Sequence, residues 1–360
     1  MKKILSVILA ALILLTCLAS CSLRDSGTAP SVGVGKDTLP VGAVGNGSDS
    51  AKPEDTDKDE PVSSGSDSES EESSSSPAES ENGEAELPSA GKYNVPTDLS
   101  FLNNVPKGHF VDKNADDPNG CWYPGKTVRD LATGNVEYKW DRDASTIEIV
   151  NKYDGIYRGS DTEKYVYLTF DCGYEYRNDA YPDGVTNDIL DTLKEKNAPG
   201  TFFVTGDYLK TDSDIVKRML DEGHIVGNHT LNHYNMTTLT PEKFVEQIDA
   251  NNRLLKEKIP TAPDMVFYRP PEGGANEWTL ALAQKMGLYT CFWAATVADY
   301  NTDNQPDPAA TLNADKTMLH NGCVYLLHAV STTNAQILGD LIDYIRAEGY
   351  EIRALDQFVR

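Results

Sequence analysis

Large rings are missing from the first 92 residues of this 360-residue chain: its 4 Trp, 18 Tyr and 9 Phe all lie at or beyond Tyr93. Aromatic side chains bring the largest buried areas to a core, so a segment without them cannot supply half of one. Length alone would suggest two domains of about 150 residues each. The ring distribution instead leaves one folded body of about 270 residues, enough for a single sizeable core. The net charge of −24 divides along the same line. Residues 22–91 hold 16 acidic against 4 basic side chains, Lys2 and Lys3 add +2, and the body beyond carries −14. Phosphate binding needs clustered Lys and Arg, so no nucleic-acid partner is expected. The same charge balance argues against docking on anionic lipid through a basic patch.

Residues 1–20 read as a secretory signal, with Lys2 and Lys3 ahead of an apolar run over 4–15. That run is too short to span a bilayer core of about 30 Å. Leu18-Ala19-Ser20-Cys21 resembles a bacterial lipobox. It implies a lipidated Cys21 and an anchor on the extracytoplasmic face of the bacterial cell membrane; ordinary cleavage and release is the alternative. The stretch over 21–91, dominated by Ser, Glu, Asp, Gly and Pro, reads as a disordered acidic tether. Its mean reach is about 45 Å. Of six cysteines, Cys17 leaves with the signal and Cys21 takes lipid, so Cys121, Cys172, Cys291 and Cys323 remain. Export permits disulfides, but four cysteines allow three pairings. Cys291 and Cys323, in apolar strand-like runs, read as buried small hydrophobes.

From Tyr165 the chain alternates short apolar runs with helical periodicity. Strands are expected at 165–170, 201–204, 224–226, 265–268, 289–293, 324–328 and 350–355. Helices are expected at 185–196, 213–222, 240–258, 277–286, 309–320 and 334–348. Thr240-Pro241 is a strong helix start, pairing a hydroxyl cap with Pro at the first helical position. Strands separated by helices of this length argue for right-handed βα units and a parallel sheet, closed as a barrel or open and doubly wound. No phosphate-binding glycine motif follows the first strand, so a nucleotide fold has no support.

Active groups of such folds project from the C-terminal ends of the strands. There the sequence places Asp171-Cys172-Gly173-Tyr174-Glu175, His229 and His233, Arg269-Pro270-Pro271-Glu272, Asp299-Tyr300 and His328. Each has a bland reading on its own: Asp171 as a turn former, Arg269 as a surface ion-pair residue, His328 as a hydrogen-bonded strand end. The spacing of His229 and His233 would put both on one face of a helical turn, which is metal-binding geometry. His109, His224 and His320 read as structural. The specificity lies in the ordered set, one group per strand end.

That set resembles the polysaccharide deacetylases, the NodB-homology domain of carbohydrate esterase family 4. The resemblance covers residues 105–358 and rests on five motifs in family order. They are Tyr-Leu-Thr-Phe-Asp-x-Gly-Tyr-Glu at 167–175, Gly-Thr-Phe-Phe-Val-Thr-Gly at 200–206, Glu-Gly-His-Ile-Val-Gly-Asn-His-Thr at 222–230, Tyr-Arg-Pro-Pro-Glu-Gly at 268–273 and Tyr-Leu-Leu-His at 325–328. Residues 151–159 and 171–175 are most similar to the muramic-acid deacetylases of δ-lactam biosynthesis. The resemblance implies an α/β distorted (β/α)7 barrel over 161–360, with 92–160 as an extension packing on it.

The activity implied is metal-dependent hydrolysis of acetamido groups on the peptidoglycan glycan strand, most like that on N-acetylmuramic acid. Alternatives are N-acetylglucosamine in peptidoglycan or chitin, acetylxylan, or a non-catalytic wall-binding lipoprotein. By the same resemblance Asp171 would be the base and Arg269 its charge partner. His229 and His233 would bind the divalent metal, and the Glu272 N–H would hold the oxyanion. His328 would protonate the leaving amine, oriented by Asp299, with Tyr174 and Glu175 on the substrate side. Cys172 departs from the pattern, which has Asp or Asn there. It could complete a His₂Cys site favouring zinc, stand outside the metal shell, or mark a weakened enzyme. Asp299-Tyr300 replaces the more usual Asp-Trp, keeping an aromatic beside the acid.

Overall fold

The computed structural model describes residues 92–106, 126–139 and 144–360. The signal over 1–20, Cys21, the tether over 21–91, His109 and Cys121-Trp122-Tyr123 lie outside the described residues.

A short 3-10 turn (Ser100–Asn104) precedes the antiparallel pair β1 (Lys126–Arg129) and β2 (Val136–Lys139), then α1 (Ala144–Lys152). There follow β3 (Tyr165–Cys172), α2 (Val185–Glu195), β4 (Thr201–Val204), α3 (Gly206–Thr211), α4 (Ser213–Asp221) and β5 (Ile225–Asn228). Next come α5 (Pro241–Lys258), β6 (Phe267–Tyr268), α6 (Glu277–Lys285), β7 (Tyr289–Thr290) and β8 (Ala295–Thr296). The chain ends with α7 (Pro308–Met318), β9 (Cys323–His328), α8 (Thr332–Ala347) and β10 (Glu351–Arg353). Local chemistry starts these helices where it should. Thr240 accepts from the Lys243 N–H with Pro241 at the first position, Asp307 accepts from Ala310 ahead of Pro308, and Asn276 and Thr279 form a capping box.

One eight-stranded sheet, parallel throughout, runs β7-β6-β5-β4-β3-β9-β8, with β10 beside the first half of β3. The strand expected at 289–293 is divided: Tyr289–Thr290 pairs with β6, and Ala295–Thr296 crosses to β9. These two short strands are opposite edges of the sheet, yet only residues 291–294 separate them, a reach of at most about 18 Å. The sheet must therefore curl until its edges approach, which gives the distorted barrel.

The remaining gap is closed by residues 156–160. Ile156 donates to Thr290 O at 2.8 Å and accepts from the Phe292 N–H at 2.7 Å, and Arg158 bridges Cys323. Gly159 donates to Gly322 O at 2.8 Å. A Cβ on Gly322 would lie 2.4 Å from the Gly159 carbonyl carbon, and one on Gly159 2.7 Å from Val359 O. Only two glycines admit this approach. The boundary expected at 160/161 thus falls just after a segment that belongs to the barrel wall.

Both faces of β3 are buried, as a parallel strand requires. Val166, Leu168, Phe170 and Cys172 face the helical layer, with Ile189, Leu193, Leu341 and Ile345. Tyr167 faces the barrel interior, with Phe203, Phe267, Tyr289, Val324 and Phe358. Thr169 and Asp171 continue the interior face towards the C-terminal end.

Candidate active site

Asp171 on β3 is register-paired with His328 on β9, so the sheet itself sets these two side by side. Arg269 follows β6 and is wholly buried. Its Nη1 donates to Asp171 Oδ1 at 2.8 Å, Nη2 to Thr169 Oγ1 at 2.7 Å and Phe292 O at 3.1 Å, and Nε to Cys291 O at 3.1 Å. The guanidinium carbon also lies 4.2 Å from the centre of the Phe203 ring. Arg269 is therefore a built-in buried cation, not a surface ion-pair residue. Burial alone would raise the Asp171 carboxyl; Arg269, with His229 and His328, outweighs it and holds the group below the usual carboxylate range.

His229 and His233 meet with ring centres 4.8 Å apart, but not on a helical turn. They sit on a loop that turns back at two left-handed residues, Thr230 (φ 69°) and His233 (φ 54°). A β-branched residue in that region is strained by roughly 1–3 kcal/mol. Glu272, at φ 58°, is a third such residue at the site. The loop is held by side chains that motif reading passed over. Thr230 N–H donates to Asn228 Oδ1 at 2.9 Å, and Asn232 N–H to Gln247 Oε1 at 3.0 Å. The Asn228 amide donates to Ile248 O at 3.0 Å, and Asn251 donates to Val204 O at 2.9 Å. Thr230 Oγ1 in turn accepts from the His233 N–H at 3.0 Å. Helix α5 thus fixes the histidine loop.

The His229 Nδ1–H points at Arg269 O, 2.9 Å away, leaving Nε2 as a lone-pair donor 3.4 Å from Asp171 Oδ2. Burial lowers the His229 pKa to about 4, so the ring is neutral. A neutral imidazole tied through its other nitrogen to a carbonyl is how metal-ligating histidines are held. Among the described residues no three His, Cys, Asp or Glu side chains are placed to hold a metal. The donor set suited to a divalent ion is this imidazole pair, open to oxygen ligands from solvent or substrate.

Across the sheet, His328 Nδ1 lies 2.7 Å from Asp299 Oδ1, and the His328 N–H donates to Asp299 Oδ2 at 2.9 Å. Burial would lower the imidazole pKa, but the Asp299 charge and hydrogen bond raise it. The Tyr300 ring packs edge-on to His328 at 5.6 Å and is half-exposed, as is Tyr174, whose hydroxyl is 3.4 Å from Thr302 Oγ1.

Two expected positions come out differently. Cys172 is 0% exposed and points into the helical layer, on the face of β3 opposite Asp171. Burial first, then Glu175 and Asp171, push its thiol well above the usual range. Facing away from the His229–His233 pair, its sulfur is not placed to join them, and the argument for zinc over other divalent ions goes with it. Glu175 does not face substrate. Its carboxylate accepts from the Thr186 N–H at 3.2 Å and the Tyr208 hydroxyl at 2.6 Å. It caps α2, whose N-cap position, Gly184, has no side chain to do so.

His224 and His320 are structural: His224 Nδ1 accepts from the Gly200 N–H at 3.2 Å, and His320 Nδ1 lies 2.7 Å from Met318 O. Cys172, Cys291 and Cys323 are free and buried. A hollow of about 540 Å³ at the opposite end of the barrel, lined by Asp221, His224, Asp264 and Asp356, contains none of the strand-end groups.

Comparison with known proteins gives the same address. The family model described as polysaccharide deacetylase matches residues 158–291. An uncharacterised 30.6 kDa protein of Geobacillus stearothermophilus is 41% identical over 212 residues, 59% of this chain and 77% of that protein. The peptidoglycan-N-acetylmuramic acid deacetylase PdaA of Bacillus subtilis is 37% identical over 211 residues, again 59% and 77%. The solved structure of Bacillus subtilis PdaA, a family 4 carbohydrate esterase, superposes with a TM-score of 0.59 at 32% identity, covering 67% of this chain and 98% of that one.

Proposed function

From the premise that the chain belongs to the polysaccharide deacetylase family, we propose that it is a metal-dependent N-deacetylase of cell-wall peptidoglycan acting on N-acetylmuramic acid. The observation that carries the reading is the meeting, at one end of the sheet, of a buried Arg269-paired carboxylate, a histidine pair and an Asp299-paired histidine. The sugar follows the relative PdaA and the sequence likeness at 151–159 and 171–175.

A divalent metal at His229 and His233 would supply Lewis acidity towards the acetyl carbonyl oxygen and the attacking water. Asp171, kept ionised by Arg269, accepts the proton of that water through Oδ2. The Glu272 N–H, presented by the left-handed turn after Pro270-Pro271, steadies the developing oxyanion. His328, with Nδ1–H held by Asp299, delivers a proton from Nε2 to the departing nitrogen. The C–N bond breaks to give acetate and a free sugar amine. Tyr174 and Tyr300, half-exposed beside this end, line the approach for the glycan. Lipidation of Cys21 would hold the enzyme at the membrane, with the acidic tether giving it reach into the wall.

Mass spectrometry of muropeptides incubated with the metal-loaded protein tests the reading. Loss of one acetyl from the muramic residue is expected. Loss from glucosamine instead would move the assignment to the second sugar, and binding without acetate release would refute an enzyme. Cys172 lies in the core, so the reading of a non-catalytic wall-binding lipoprotein is decided by that same acetate measurement.

A further inference from the structure

The first turn of α8 grips Asp299. The Asn334 amide, 0% exposed, donates to Asp299 Oδ2 and, at 3.2 Å, to His328 O. One residue earlier, the Thr333 N–H donates at 3.2 Å to Gln305 Oε1, which also accepts from Ser331 Oγ at 2.7 Å. The other end of that amide, Gln305 Nε2, donates to Asp299 O at 2.9 Å. Carboxylate and backbone of Asp299 are thus both fastened to the helix that follows His328.

We propose that Asn334 is a positioning residue for the proton donor: its amide locks the rotation of the Asp299 carboxylate, so that Oδ1 is left to His328 Nδ1 and the ring presents Nε2 to the substrate. The kinetic part of this rests on the deacetylase reading above. Three observations support it. Asp299 Oδ2 takes two donors, the His328 N–H and the Asn334 amide, which leaves Oδ1 for the ring. Reversing the Asn334 amide would aim its oxygen at a carboxylate, so the orientation is fixed by charge. Finally, Asn334 Oδ1 is buried without a hydrogen-bond partner among the described residues. Such an orphan costs roughly 1–3 kcal/mol. An apolar residue would avoid that cost, which points to the donor as what the position supplies.

The test exchanges the donor for an isosteric acceptor. In Asn334→Asp the new carboxyl can still donate when protonated, but repels Asp299 when ionised. The charged and titratable groups around it are Asp299 and His328, Asp315 on α7, on which Asp299 acts, and Asp171 and Arg269 acting on His328. For acetate release, kcat of Asn334→Asp is expected to fall at least about tenfold at pH 8 with KM within about twofold. The deficit should shrink towards pH 5, whereas Asn334→Ala should show a deficit that does not vary with pH. Wild-type kcat in both variants at pH 8, or an Asn334→Asp deficit of equal size at both pH values, would overturn the proposal. An independent readout is ¹⁵N NMR of histidine-labelled full-length protein. Wild type should hold His328 as the Nδ1–H tautomer with a downfield, slowly exchanging proton, and Asn334→Ala should lose that proton's protection. Unchanged protection would overturn the proposal even if the protein released no acetate, a result that by itself would refute only the deacetylase reading.

Discussion

Arg269→Met is the most informative single change, because it keeps volume and removes one cation from four partners. Three of those, Thr169 Oγ1 and the carbonyls of Cys291 and Phe292, are neutral acceptors that each lose a donor; the fourth, Asp171, is left as a buried unpaired carboxylate. Breaking a buried pair from one side costs about 3–5 kcal/mol. For a body of this size that lowers Tm by roughly 6–20 °C. The penalty must also depend on pH, with a definite sign. In the wild type the Asp171 pKa is lowered, so its stabilisation is complete above the unfolded value of about 3.9 and is lost as pH falls through the folded value. Without Arg269, only His229 and His328 still oppose burial, and the folded pKa is expected to rise above the unfolded one. The variant then loses stability as pH rises through that window and regains it on acidification. Urea unfolding of both proteins between pH 4 and 8 should show a gap that is widest at pH 7–8 and narrows towards pH 4. Asp171→Asn in the Arg269→Met background should recover a measurable part of the loss at pH 7. A gap that does not vary with pH, with no recovery in the double variant, would show that Arg269 acts through its carbonyl and ring contacts and not through charge.

Cys172→Ala should leave the divalent-metal content of the purified protein unchanged while costing roughly 1–2 kcal/mol in urea unfolding, since only packing is lost. Glu175→Ala should lower stability by about 1 kcal/mol through loss of the α2 cap, with KM for glycan unchanged; a raised KM at wild-type stability would return Glu175 to the substrate side. Asp299→Asn should move the alkaline limb of the kcat–pH profile to lower pH. Asp299 raises the His328 pKa, and activity as an acid is lost as pH rises through that value. A limb in the wild-type position would exclude His328 as the donor.

The helix starts were legible because they are local. Thr240-Pro241 carries its cap and its first residue in two letters, and α5 begins and ends where periodicity and capping put it. The strand-end acids, histidines and arginine were legible because parallel strands deliver their loops to one end. What failed was non-local or strained. The histidine spacing looked helical, but Thr230 and His233 adopt left-handed conformations, one of them on a β-branched residue, held by Asn228 and by Gln247 and Asn251 on α5. Glu175 could not be read as a cap, because the path of residues 176–184 that returns the helix start to its carboxylate is not a local signal. Cys172 was decidable in principle: strand alternation puts it opposite Asp171, and the motif's shape overrode that simple rule.

The strip over 156–160 has a practical consequence for anyone cutting this chain. A fragment begun at residue 161, ahead of the first strand-end motif, would remove the partner of Thr290 O, the Phe292 N–H and Gly322 O. It would open a seam between the two sheet edges. Bare strand edges recruit other chains. Such a fragment would keep every strand-end site group and is expected to aggregate, so a piece made for assay is better begun ahead of Ile156.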